Sequence, residues 1–299
     1  MKRANKSYFK KGHVPWNKNP IKKICLNCGK EFFISKSRNL EGRGKFHSLD
    51  CKKSYKYKLA KEIFLDEDMA ELIGVIIGDG CINKVKSGYR IQISGNKIED
   101  KFYMEDYLPD LIFKCLKIKT KPYLSKNGAF VLQFQLEPFR IFLHSLDIYS
   151  PKTHIKIPGA IKSNKFFLRR CIRGIADTDF TLIFTKRKKE GKHYYPRICA
   201  QFSSEPLVKD LEISLRKMGF TLNVKYNYKR EDKRGFIHIT NFINLDGPIN
   251  LKRWLRLIGF SNQRIKTRYL VWKKYKYLNP KSTIFERKAL LRAIGGDDH

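Results

Sequence analysis

Acidic residues are scarce: 28 Asp and Glu stand against 63 Lys and Arg in 299 residues, a formal net charge of +35. A chain so one-sided repels itself unless its partner is a polyanion, which argues against a merely soluble basic protein. Long apolar runs are also missing. None approaches the roughly 18 residues of a membrane span, and no basic amphipathic helix dominates, so nucleic acid is expected as the partner and a membrane is not. The N-terminal MKRANKSYFKK has no apolar core of a signal peptide, so an intracellular, non-secreted protein is expected. The seven cysteines, three near the N-terminus and four scattered, form no disulfide framework. Cys81, Cys115, Cys171 and Cys199 have apolar neighbours and read as ordinary buried residues in a reducing interior.

What is present centres on Leu72-Ile73-Gly74-Val75-Ile76-Ile77-Gly78-Asp79-Gly80. Asp68, with Glu71 three residues on, offers an N-cap for a helix. Gly74 and Gly78 then share one face. Two interior glycines cost about 1 kcal/mol each against alanine, so a closely packed second helix is expected in compensation. Asp79 falls at the C-terminal lip, where the helix dipole is negative and a divalent cation would relieve it. The stretch recurs as Ile172-Arg173-Gly174-Ile175-Ala176-Asp177-Thr178-Asp179-Phe180, with Gly174 and Thr178 as the small face and Asp179 in the place of Asp79.

These paired stretches resemble the two signature helices of single-chain LAGLIDADG homing endonucleases, over about residues 66–275. Ile77 replaces the inner Asp of the first signature, and Phe180 the final Gly of the second. The resemblance implies an α+β fold of two pseudo-symmetric αββαββα halves, 66–162 and 163–275, forming a DNA-binding saddle. It implies a monomeric, site-specific endonuclease cutting a long, pseudo-palindromic double-stranded target in an intron-homing role. The cuts would face each other across the minor groove and leave short 3′ overhangs. Asp79 and Asp179 would hold Mg2+ or Mn2+, with the carbonyls of Gly78 and Thr178 as further ligands. A basic residue after the third helix of each half is implied beside the phosphates: Lys152 in the first, Lys266 or Arg268 in the second. An RNA-splicing maturase or a non-catalytic DNA-binding regulator on the same scaffold is the alternative.

Ahead of this lies Cys25-x2-Cys28, then His47-x3-Cys51. A tight knuckle plus a helical pair suits tetrahedral Zn2+, and the metal would contribute the folding energy that residues 23–60 lack. Residues 1–22 read as a basic DNA-binding arm carrying Trp16 and Lys18, and 276–299 as a basic C-terminal tail, the chain from 262 on being expected to be partly helical.

Each half reads as helix, hairpin, helix, hairpin, helix. Along its strands, Arg90, Gln92, Ser94, Gln133 and Gln135 alternate with apolar residues in the first half. Thr185, Arg187, Arg197, Gln201, Ser203, Asn223, Lys225, Lys229 and His238 take the polar places in the second. Period two puts these on one sheet face, and their chemistry is that of base-edge and phosphate recognition. Ser163 is expected to cap the helix bearing Asp179.

Overall fold

A computed structural model describes residues 20–86, 88–187, 191–231 and 235–293. Trp16 and Lys18 of the expected arm lie outside them, as do 294–299. The chain divides into two compact units after Glu62.

The smaller unit pairs β1 (Ile21–Ile24) antiparallel with β2 (Glu31–Ile34), followed by α1 (Lys36–Leu40) and α2 (Leu49–Lys61). Among its described residues only Cys25 and Ile34 are fully buried apolar side chains. Such a core is too small to hold the unit alone.

The larger unit begins with α3 (Glu67–Gly78), β3 (Gly80–Val85) and β4 (Gly88–Asn96). A π-helical turn at Tyr103–Tyr107 leads into α4 (Leu108–Leu116), then β5 (Tyr123–Leu124), β6 (Ala129–Phe134) and α5 (Glu137–Ser145). The short α6 (Gly159–Lys162) lies in the connector. The second half repeats the order as α7 (Lys165–Asp179), β7 (Thr181–Thr185), β8 (Tyr195–Phe202), α8 (Glu205–Lys217), β9 (Asn223–Glu231), β10 (Ile237–Asp246) and α9 (Gly247–Leu257). Beyond it come α10 (Gln263–Tyr275) and α11 (Ile284–Arg292). The two four-stranded sheets are antiparallel and share one plan, β3-β4-β6-β5 and β7-β8-β10-β9. Two αββαββα halves are therefore present, as the repeated stretches imply.

The halves meet through α3 and α7. A Cβ at Gly74 would collide with the Cys171 carbonyl, and one at Gly174 with that of Glu71, so the two backbones touch where the side chains are missing. Leu72, Ile73, Val75 and Ile76 around this contact are at most 1% exposed. Burial at about 1.5–3 kcal/mol for each such side chain outweighs the helical cost of the glycines.

Several local expectations are revised. Asp66, not Asp68, caps α3, accepting from Met69 N at 2.7 Å. Glu71 is wholly buried and faces the other half: its Oε2 takes Arg173 Nη2 at 2.6 Å and Arg170 Nη1 at 2.9 Å. Its Oε1 accepts from Tyr107 and, at 3.0 Å, from Ser261 Oγ. Asn164 rather than Ser163 caps α7, because its Oδ1 reaches Phe166 N and Phe167 N while Ser163 Oγ donates back to Ala160 O. Phe180 needs no special backbone; it is extended (φ −84°, ψ 153°) and buried against Phe202 and Trp254.

The segment read as a basic tail contains α11, begun by a Thr283–Glu286 capping box. Its Ile284 and Arg287 are fully buried. Arg287 Nη2 meets Glu99 Oε2 at 2.6 Å, which ties α11 to the first half.

Candidate metal centre and nucleic-acid face

Asp79 is the C-cap of α3, and Asp179 is the last residue of α7. Gly78 allows their approach, since a Cβ there would strike Thr178 Oγ1 and lie 2.5 Å from Asp179 Oδ2. Asp79 keeps solvent access and Asp179 is half-buried, yet the surrounding protein displaces enough water to destabilise both charges. With the charge of Asp100 added, this desolvation raises Asp79 to about 6. Asp179 rises to about 7 by desolvation and by the charge of Asp79.

Two cations stand at these helix ends. Lys152 Nζ donates to the carbonyls of Ile77 at 3.0 Å and of Gly78. Arg264 Nη2 donates to those of Asp177 at 3.1 Å and Thr178 at 3.2 Å. Each neutralises the negative end of one helix. The carbonyls of Gly78 and Thr178, expected as metal ligands, are thus engaged by side chains.

In the second half it is Arg264, not Lys266 or Arg268, that lies at a helix end. Arg268 Nη1 points to the Leu182 carbonyl at 3.4 Å, and burial lowers its pKa. Lys266 is half-buried further along α10. A signal for Arg264 existed: it stands seven residues past the end of α9, as Lys152 stands seven past the end of α5. Asp177 holds the loop, its carboxylate accepting from Ser261 N at 2.9 Å and Asn262 N at 3.0 Å.

The sheet faces away from the helices carry most of the polar residues read from the strands. In the first sheet Gln92 pairs across to Gln133, which accepts from Tyr123 OH at 3.3 Å. Arg90, Gln92 and Ser94 are half-buried while the alternating Ile91 and Ile93 are sealed; Gln135 is exposed just past β6. In the second sheet Arg197 and Gln201 alternate with buried Ile198 and Ala200, and Thr185 with buried Phe184. Arg187 stacks over Tyr195 at 3.8 Å. Arg197 is paired with Asp246 at 2.5 Å, which places an acid on this face. Gln201 and Ser203 line a cavity of about 160 Å³ with Gly78, Lys152 and Asp179.

Lys229 is the exception. Between the pairs Lys225–Phe242 and Tyr228–Thr240, β9 has one residue more than β10. Asn227 takes the extra place with φ +52°, its N–H bonded to Asn241 Oδ1 at 2.9 Å. This bulge reverses the alternation. Tyr228 joins Asn223, Lys225 and His238 on the open face, and Lys229 turns to the other.

In the smaller unit, the ligand atoms of Cys25, Cys28, His47 and Cys51 all lie within 4.8 Å of one another. Zinc–sulfur bonds of about 2.3 Å place tetrahedral ligands about 3.8 Å apart, so the donor set and its spread fit such an ion. The knuckle is closed by Gly29 N to Cys25 O at 2.9 Å, with Gly29 at φ +73°. His47 precedes α2 and Cys51 lies in its first turn, so the two do not share a helix as expected.

No family model matches the chain. It is 22% identical over 207 residues to an uncharacterized protein of Methanocaldococcus jannaschii, covering 68% of this chain and 73% of that one. It is 24% identical over 210 residues to the replication factor C small subunit of the same organism, across 70% of this chain but 10% of that protein. Among solved structures, variants of the homing endonuclease I-DmoI align at 17% identity and TM-score 0.44, over 64% of this chain and 95% of theirs. Full-length DUF199/WhiA from Thermatoga maritima aligns at 16% and 0.42, over 80% and 71%. Among the described residues no helix is long and apolar enough to cross a membrane.

Proposed function

We propose that the chain is a monomeric, site-specific double-strand DNA endonuclease. The observation that carries this reading is the convergence of Asp79 and Asp179, one from each half, with Lys152 and Arg264 beside them. Mg2+ or Mn2+ held by the two carboxylates would activate water and polarise the scissile phosphate. Lys152 and Arg264 would stabilise charge on the phosphates, and the open sheet faces would read a long duplex site. Cleavage selection on a randomised duplex library with Mg2+ tests it: one recovered target cut on both strands is expected, and binding without any cut refutes it.

A non-catalytic DNA-binding regulator or maturase is favoured by one observation. The carbonyls of Gly78 and Thr178 at the two helix ends are already engaged by Lys152 and Arg264 without a metal. Protonation distinguishes the readings. Both acids have folded values above the ordinary carboxylate value of 3.8, so without metal they progressively cost stability as pH rises from about 4 to 7. Bound metal reverses that cost and must displace protons below about pH 7. The Mg2+-dependent gain in Tm should therefore grow between pH 5.5 and 8; a gain independent of pH would exclude these ligands.

The smaller unit is proposed to bind Zn2+ through Cys25, Cys28, His47 and Cys51 and to contact phosphate through its lysines. About one zinc per chain is expected by elemental analysis. Replacing Cys25 and Cys28 by Ser should remove it and unfold this unit alone; zinc-free protein purified without chelator would contradict the site. Salt tests the electrostatics. Log affinity for DNA should fall with log salt by about 0.9 per phosphate contacted, and a flat response would exclude an electrostatic saddle.

A further inference from the structure

The loops that carry the two cations are each anchored in the opposite half, but by different means. The Lys152 loop is held through backbone: Ser204 Oγ donates to the Ile155 carbonyl at 2.7 Å, and Asp210 Oδ2 accepts from Ile157 N at 3.0 Å. No carboxylate among the described residues lies within ion-pair distance of the Lys152 amine. That amine is held instead by main-chain carbonyls, of Ile76 at 3.4 Å, of Ile77 at 3.0 Å and of Gly78.

Arg264 is gripped by its side chain. Asp100, on the loop after β4 of the first half, sets its Oδ1 3.2 Å from Arg264 Nε, a charge contact and not a hydrogen bond, since that Nε has no hydrogen-bond partner among the described residues. The same oxygen accepts from Asn262 Nδ2 at 2.8 Å, and Oδ2 accepts from Asn96 N at 2.8 Å. The Asp100 side chain is 14% exposed, so this pair is shielded from solvent. Behind it Arg287 Nη2 holds the Arg264 carbonyl at 3.3 Å.

We propose that Asp100 is a positioning residue for Arg264: a carboxylate of the first half that fixes the cation of the second, whereas Lys152 is held by carbonyls of its own half. The consequence for cutting rests on the nuclease reading. The two strands would then depend unequally on Asp100, because a displaced cation costs rate only at the phosphate it serves, by up to about 100-fold for a misplacement near 1 Å.

Asp100→Asn removes the charge and keeps an oxygen for Asn262. Two measurements follow on the full chain. The first is the 15Nε–1Hε signal of Arg264, assigned by its loss in Arg264→Lys. It should be distinct in the parent and averaged with mobile arginines in D100N. The second is strand-resolved single-turnover cleavage of a duplex labelled on either strand. One strand should slow about 10- to 100-fold and the other less than about 3-fold. In an Arg264→Lys background, where no Nε remains to be held, D100N should add less than about 2-fold. An unmoved Arg264 signal, equal slowing of both strands, or multiplied effects in the double variant would overturn the proposal. Should D100N fail to fold, Asp100→Glu, which keeps the charge but shifts it by a methylene, is read by the same signal, and an unmoved Arg264 again overturns it. If the parent binds DNA but cuts neither strand, the nuclease reading falls while the Arg264 signal still decides the positioning role.

Discussion

Asp79→Asn and Asp179→Asn are each expected to slow DNA cleavage by about a thousandfold or more, with little change in DNA affinity. A metal contributes several kcal/mol of transition-state stabilisation, and each 1.4 kcal/mol is a factor of ten. Asparagine preserves shape but surrenders the charge that retains the ion. At Asp179 it also keeps an oxygen for Thr178 Oγ1, now 3.2 Å from Oδ2. Affinity should hold or rise slightly, because a negative charge facing phosphate has gone. Stability should not fall either. Both acids titrate above their unfolded value, at about 6 and about 7, so at pH 8 without metal their ionisation is a cost that the neutral amide removes. Supercoiled plasmid carrying the selected site separates these effects through its nicked and linear products, alongside melting in the same buffer. Both variants cutting like the parent would mean that the acids are structural helix ends.

Glu71→Ala should cause the largest loss of stability, about 3–5 kcal/mol, the usual range when one partner of a buried ion pair is removed. Glu71 is fully buried, and its departure strands Arg173, whose side chain is 19% exposed, while Arg170 and the hydroxyls of Tyr107 and Ser261 lose an acceptor. These groups come from both halves, so the damage falls on their junction. Urea denaturation of the metal-free chain measures it; a loss under about 1 kcal/mol would show that the network is dispensable. Gly174→Ala offers a smaller companion. Alanine gains about 1 kcal/mol of helix propensity, but its Cβ meets the Glu71 backbone, and overpacking typically costs 1–3 kcal/mol. A net loss is expected.

The features readable from sequence were those written locally. Alternation along a strand and a repeated small-residue face are properties of neighbours in the chain, so the order of elements and the placing of Asp79 and Asp179 at paired helix ends could be expected in advance. The metal-ligand spacing of Cys25, Cys28, His47 and Cys51 is local in the same sense. Features that depend on the other half were hidden. Glu71 looks like a capping residue because nothing nearby reveals that Arg173 will sit against it. Asp100 has no local signature at all. Arg264 was obscured by the density of basic residues after α9, though its offset from the helix end marks it. Lys229 was misplaced because Asn227, a non-glycine at φ +52°, gives little warning of a bulge. The basic composition of 276–299 fitted a partly helical tail but concealed that α11 buries Ile284 and Arg287.

The most direct measurement is anomalous diffraction at the manganese edge from crystals of the chain bound to its selected duplex in Mn2+. A peak coordinated at about 2.1–2.2 Å by a carboxylate oxygen of Asp79 and one of Asp179 is expected, with Lys152 and Arg264 drawn toward the flanking phosphates. Bound duplex with no peak between the two aspartates, and with both cations still on the carbonyls of Gly78 and Thr178, would contradict the metal centre and leave a DNA-binding protein that does not cut.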